Sequence, residues 1–188
     1  MQSYIILLRG INVGGKNKVS MAELKRCLEE LGCEQVTTYI NSGNVVLQSD
    51  LSVEVLGPKI EALLPQKFAL DSSIVKVLVL TEGQLQAVID KKPKGFGEQP
   101  DTYHSDAIFL MGLDPAEAMA VFDPREGVDA VWPGPGVIYS QRLSAQRTKS
   151  RLSKIMGTPA YKSMTIRNWN TTTKLLELIR AAHEPASY

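Results

Sequence analysis

The chain has 188 residues, 44% apolar and 22% charged, with a net charge of +1. Those fractions exclude a disordered chain, a collagen and a coiled coil, and they leave room for one globular domain or two small ones. No apolar run approaches the roughly 18 residues of a spanning helix, so no membrane is expected among its partners and the chain is placed in the cytoplasm.

In chain order, Tyr4–Leu8 is a short apolar run that reads as a buried strand. A polar loop follows, Gly10-Ile-Asn-Val-Gly-Gly-Lys-Asn-Lys18. Ser20, with Glu23 three residues on, is a capping box for a helix whose apolar face is Met21, Leu24, Cys27, Leu28 and Leu31, and Gly32 ends it. Gln35–Ile40 and Val45–Gln48 read as strands joined by the turn Asn41-Ser-Gly-Asn44. Ser52 begins a second helix that carries Val53, Leu56, Ile60, Leu63 and Leu64 and stops near Pro65. Ile74–Leu80 is a strand, followed by a helix from about Thr81 to Ile89.

Lys91–His104 is rich in Pro, Gly and charge and reads as a linker. Beyond it come a strand at Ala107–Met111, a helix at Pro115–Phe122 capped by Asp114, and strands at Asp129–Trp132 and Val137–Gln141. A short helix at Lys149–Met156, a strand at Ser163–Ile166 and a helix from about Asn170 to His183 complete the chain. The order β-α-β-β-α-β thus occurs twice. The fold expected is α+β: two tandem ferredoxin-like βαββαβ halves with antiparallel sheets, over 1–90 and 106–188, joined through 91–105, plus a C-terminal helix.

This topology has a chemical consequence. The first and second strands run the same way, so the loop after strand one and the tip of the hairpin open at one edge. That edge gathers Arg9, Asn12, Gly14, Gly15, Lys16, Lys18, Asn41, Ser42 and Asn44, with Tyr39 just below. Glycine amides admit close approach of a ligand, and amides in a turn hold anions. The loop also has the spacing of a phosphate-binding loop, G-x-x-x-x-G-K. Asn17, however, stands where that motif needs a magnesium-binding hydroxyl, and the helix starts only near Ser20.

A second polar cluster, Arg167, Asn168, Asn170 and Lys174, leads from a strand into the last helix, whose first-turn amides could join it in holding an anion. From Gln141 to Arg180 nine basic residues face the single acid Glu177, a local charge of +8 that leaves −7 for the rest. Such asymmetry suits an acidic partner. Catalytic options are few. His104 is read in a loop and His183 near the C-terminus, neither beside a Ser or Cys partner. Cys27 and Cys33 read as reduced core residues, and no metal or cofactor spacing occurs, so no cofactor is expected.

Three segments carry a family resemblance: Leu8-Arg-Gly-Ile-Asn-Val-Gly-Gly-Lys-Asn-Lys-Val-Ser-Met-Ala-Glu-Leu24, Tyr39-Ile-Asn-Ser-Gly-Asn-Val-Val46 and Thr165-Ile-Arg-Asn-Trp-Asn170 with Lys174-Leu175. The chain resembles the DUF1697 family, mostly bacterial proteins of unknown function. The resemblance implies a sandwich of ferredoxin-like character. It places the family's hallmark positions at Arg9, Gly10, Asn12, Gly14, Gly15, Lys16, Asn41, Ser42, Gly43, Asn44, Arg167 and Asn168.

The function expected is binding of a phosphate-bearing or other anionic ligand, a small molecule or a nucleic acid, with Tyr39 and Trp169 as stacking platforms. Two alternatives stand beside it: an enzyme acting on a small anionic substrate such as a nucleotide, with Lys16 or Tyr39 as acid or base, and a protein-interaction module that uses a strand edge. Nothing in the sequence sets an oligomeric state.

Overall fold

The computed structural model describes residues 1–71 and 73–182. Its elements are β1 (Gln2–Arg9), α1 (Met21–Glu30), β2 (Glu34–Tyr39), β3 (Asn44–Ser49), α2 (Val53–Lys67), β4 (Lys76–Thr81), α3 (Glu82–Asp90), β5 (Tyr103–Leu110), α4 (Pro115–Met119), β6 (Asp129–Gly134), β7 (Val137–Leu143), β8 (Met164–Asn168) and α5 (Trp169–Ala181). They make a mixed α+β protein with two four-stranded sheets, ordered β2-β3-β1-β4 and β6-β7-β5-β8, in which every pairing is antiparallel. No described helix is long and apolar enough to cross a membrane.

The chain divides into two compact units, Met1–Leu85 with the chain from Leu175 on, and Gln86–Lys174. In the first unit β1 is buried without a break from Tyr4 to Leu8. Tyr4, Ile6 and Leu8 form one cluster with Leu24, Cys27 and Leu28 of α1 and Leu56, Ile60 and Leu64 of α2, so both helices cover one face. Burying each of these side chains contributes about 1.5–3 kcal/mol. Ser20 caps α1 through its hydroxyl, which accepts from the Glu23 amide at 3.3 Å. The helix α2 runs through Pro65 to Lys67, past the stop read at that proline.

The second unit repeats the strand order with less helix. Ile108, Leu110, Ile138 and Met164 of the sheet pack with Ala118 of α4 and with Ile155. The helix expected at Lys149–Met156 is absent, and three 3-10 segments, Ser144–Lys149, Leu152–Gly157 and Pro159–Ser163, take its place. Ile155 is the only side chain these segments bury. Without an apolar stripe nothing rewards a regular helix there. α4 also stops at Met119, short of Phe122.

The segment read as a linker holds Phe96, 1% exposed. Its ring meets Trp169, Tyr139 and Trp132 edge-on at 5.0, 5.3 and 6.0 Å. The buried Tyr139 hydroxyl donates to the Val88 carbonyl at 2.5 Å. β5 begins at Tyr103, four residues before the expected strand. α5 begins at Trp169, and His183 lies outside the described residues.

Two expected outcomes follow from this packing. Gly43 has φ +77°, and a Cβ there would lie 2.8 Å from Leu8 Cβ and 2.9 Å from Ile11 Cδ1. Gly43→Ala should lower stability by about 2 kcal/mol or more, read by urea denaturation. Burial pushes the Tyr139 hydroxyl up from 10.0 to about 12. Above pH 10 the unfolded chain therefore loses this proton before the folded one does, and stability drains as pH rises toward 12 by about 2–3 kcal/mol in total. Tyr139→Phe should flatten that part of the stability curve relative to the parent protein.

Candidate functional site

The loop after β1 is built by two asparagines in left-handed backbone, Asn12 at φ 54° and Asn17 at φ 48°. Asparagine tolerates this conformation because its short amide bonds locally. The Asn12 amide group donates to Val19 O at 3.0 Å and Asn41 O at 2.9 Å, and its oxygen accepts from the Val19 amide at 2.8 Å. The Asn17 amide group donates to Gly10 O at 2.9 Å and accepts from the Asp71 amide at 2.8 Å. Between them the chain turns back on itself: Asn12 N donates to Asn17 O and Lys16 N to Val13 O, at 2.9 and 3.0 Å. Gly14 and Gly15, at φ 58° and 75°, are the two central residues of this miniature hairpin, a left-handed pair that glycine takes without strain. Helix α1 starts six residues after Gly15, so the loop is not the phosphate-binding loop its spacing suggested.

The structure brings the loop and the β2–β3 hairpin together, as the contact of Asn12 with Asn41 shows. Their side chains divide into two sets. Asn44 is fully buried, and its amide donates to Tyr39 O at 3.1 Å and Ser42 Oγ at 2.8 Å. Asn12 has both amide hydrogens engaged. Arg9 donates to Ile74 O at 2.8 Å. These three hold the rim in shape, and the side-chain amides of Asn12 and Asn44 are engaged within the protein. Tyr39 is half-buried at the end of β2.

The second set faces solvent. Gly14, Gly15, Lys16, Lys18, Asn41 and Ser42 are exposed. Among the described residues the amides of Gly14 and Gly15 and the side-chain amide of Asn41 donate to no protein acceptor, and neither Lys16 nor Lys18 forms an ion pair. A Cβ added at either glycine would meet nothing within 4 Å. Beside them lies a shallow depression of about 370 Å³ lined by Asn12, Gly15, Lys18, Val19, Ser20 and Asn41.

The C-terminal cluster belongs to the second unit and is differently disposed. Arg167 is 6% exposed and donates to Thr165 Oγ1 at 2.8 Å and Ile166 O at 2.9 Å. Burial pulls its guanidinium down to about 10. The Asn170 amide donates to Asn168 Oδ1 at 2.8 Å, so the start of α5 is capped by its own chain. Asn168 and Asn170 are exposed and Lys174 is half-buried. Trp169, expected as a stacking platform, is 7% exposed and packs against Phe96 and Tyr139. The buried Arg167 and the capped start of α5 both serve the scaffold of the second unit.

His104 is not in a loop. It sits on β5, with Nε2 2.9 Å from Asp106 Oδ2. Burial pushes the Asp106 carboxyl up, while His104 and Arg142 pull it back. The i, i+2 spacing on a strand was the signal for this pair, hidden because the strand was read four residues too short. Among the described residues no group of three His, Cys, Asp or Glu could hold a metal.

A mixed α+β chain with two antiparallel four-stranded sheets and a rim stapled by asparagines is thus the class of protein in hand. Its residues 1–139 match the family model "Protein of unknown function (DUF1697)", and the chain belongs to that family. It is similar to the solved structure of the conserved bacterial protein SP0830 from Streptococcus pneumoniae, with 31% identity and a TM-score of 0.76, over 94% of this chain and 98% of that one. No curated protein matches. The matched family region contains the whole rim and ends before Arg167.

The Asn12 staple yields a sharp expectation. Asn12→Asp keeps the acceptor for Val19 N but turns a carboxylate oxygen toward two carbonyls. It should lower stability by about 2–3 kcal/mol in urea denaturation and speed hydrogen exchange at Asn17 and Val19.

Proposed function

We propose that the rim at the Arg9–Lys18 end of the first sheet binds an anionic group, a phosphate or carboxylate, carried by a small molecule such as a nucleotide or by a nucleic acid. The observation that supports this is the collection of unspent donors around the depression: the Gly14 and Gly15 amides, the Asn41 amide group, Lys16 and Lys18. Donors presented on a pre-shaped loop need little ordering when an anion arrives. Each sheet with its helices is further read as a ferredoxin-like fold, the second with its latter helix reduced to 3-10 turns. That fold serves many functions, so the proposal rests on the rim alone.

Turnover of a small anionic substrate is the second reading. The His104–Asp106 pair favours it, since a carboxylate orients an imidazole for proton transfer.

Lys16→Ala combined with Lys18→Ala should weaken binding of phosphate esters by about tenfold in low-salt calorimetry, with the unfolding midpoint unchanged. The parent protein's affinity should fall as salt is raised. A panel of phosphate esters, nucleotides and dicarboxylates that gives neither heat nor a thermal shift removes the proposal.

A further inference from the structure

We infer that the second unit holds a nucleobase in a cavity on the face of β5, β7 and β6, lined by Tyr103 and Trp132. This site is separate from the rim proposed above. Strand register places its walls. Gln141 lies opposite both Ala130 and Ser105, and Leu143 lies opposite Tyr103, so these side chains share one sheet face with Trp132, two residues beyond Ala130. The small Ala130 leaves the floor low. The resulting cavity is about 280 Å³. Ligand pockets run from about 300 Å³ upward, so this one suits a single ring system rather than a large cofactor.

The chemistry of the lining selects the ring. Tyr103 and Trp132 are both half-buried, and Trp132 is braced edge-on by Phe96 at 6.0 Å. A braced ring stacks on a flat ligand at little entropic cost, and every base presents a flat π-face. Gln141 Nε2 donates to Ser105 Oγ at 2.9 Å, which orients the amide. Its oxygen and remaining N–H have no partner among the described residues. One acceptor beside one donor on a fixed amide is the pattern that pairs with a base edge.

The surroundings supply cations for a phosphate. Leu143 leads directly into the Ser144–Lys149 turn, which is fastened beside Tyr103 by Ser144 N donating to Thr102 O at 3.0 Å. That turn carries Arg147 and Lys149, both exposed, and no acid occurs between Gln141 and Lys162. The acid in the lining, Asp129, accepts through Oδ2 from the amides of Arg125 and Arg151 at 3.0 and 2.8 Å, while its Oδ1 is buried with no hydrogen-bond partner among the described residues. The ligand class is therefore a nucleotide, either free or as one residue of a single strand.

The chain's two tryptophans make the test direct, because Trp169 is buried in the core and Trp132 lines the cavity. Adding AMP, or a single-stranded oligoadenylate, should quench tryptophan fluorescence, and Trp132→Phe should abolish the quench. Gln141→Leu should weaken binding by about tenfold, and Ala130→Leu, which fills the floor, should block it with the circular dichroism unchanged. Ribose 5-phosphate should not compete. A response to AMP identifies the free nucleotide as sufficient, and a response to the oligonucleotide alone identifies the strand. The Lys16→Ala, Lys18→Ala protein should bind AMP in this cavity as the parent does, so loss of rim binding and loss of cavity binding are read apart. Absence of quenching by both ligands at millimolar concentration, equal competition by ribose 5-phosphate, or unchanged affinity in Ala130→Leu would overturn the inference.

Discussion

One side-chain amide holds the rim of the first unit together. Asn12 donates to Val19 O and Asn41 O and accepts from Val19 N, and so ties the loop after β1 to the approach of α1 and to the β2–β3 hairpin. An amide is the only side-chain group of this size that offers two donors and an acceptor in one plane. An aspartate lacks the donors, and a serine lacks the reach. With the staple in place, two connections that would otherwise move independently present their free groups at fixed positions. Asn17 fastens the far side of the same loop to Gly10 and Asp71, so the Gly14-Gly15 turn is raised on a rigid base.

The rim illustrates a division of labour. Groups best suited to hydrogen bonding are consumed in building the loop, and the groups left facing solvent are backbone amides, two lysines and the amide of Asn41. The buried Asn44 belongs wholly to the first set, because an unsatisfied amide at full burial would cost more than a ligand contact returns. Arg167 shows the same logic in the second unit. A guanidinium so far from water is retained by hydrogen bonds to its own strand, and its depressed pKa records what burial costs it.

The second unit is stabilised by different means. Phe96 gathers Trp132, Tyr139 and Trp169 around one ring, and the Tyr139 hydroxyl is paid for by the Val88 carbonyl. Edge-on aromatic pairs add to the area they bury, which compensates for the little helix that this unit possesses. The basic stretch after β7 buries only Ile155 and ties two of its cations, Arg151 and Lys154, to Asp123. Both pairs are largely solvated and add little stability.

Much of this architecture was legible in the residues alone. Strand β1, the capping box at Ser20, the Asn41–Asn44 turn and the parallel course of β1 and β2 are local signals of period, cap and turn, and they sufficed to predict that Asn12 and Asn41 share an edge. The family resemblance rested on Leu8–Leu24 and Tyr39–Val46, which include the capping box and the turn, and on Thr165–Asn170 with Lys174-Leu175. Three matters were decided only by the tertiary structure. Phe96 reads as linker because its neighbours are Pro, Gly and Lys, yet it becomes core because aromatic surface is waiting for it. His104 reads as loop because β5 is polar at its start, and pairing with β7 supplied the ladder that its composition did not advertise. Whether an asparagine builds a loop or faces a ligand is a question of where its hydrogen-bond partners lie in space, and no periodicity along the chain encodes that.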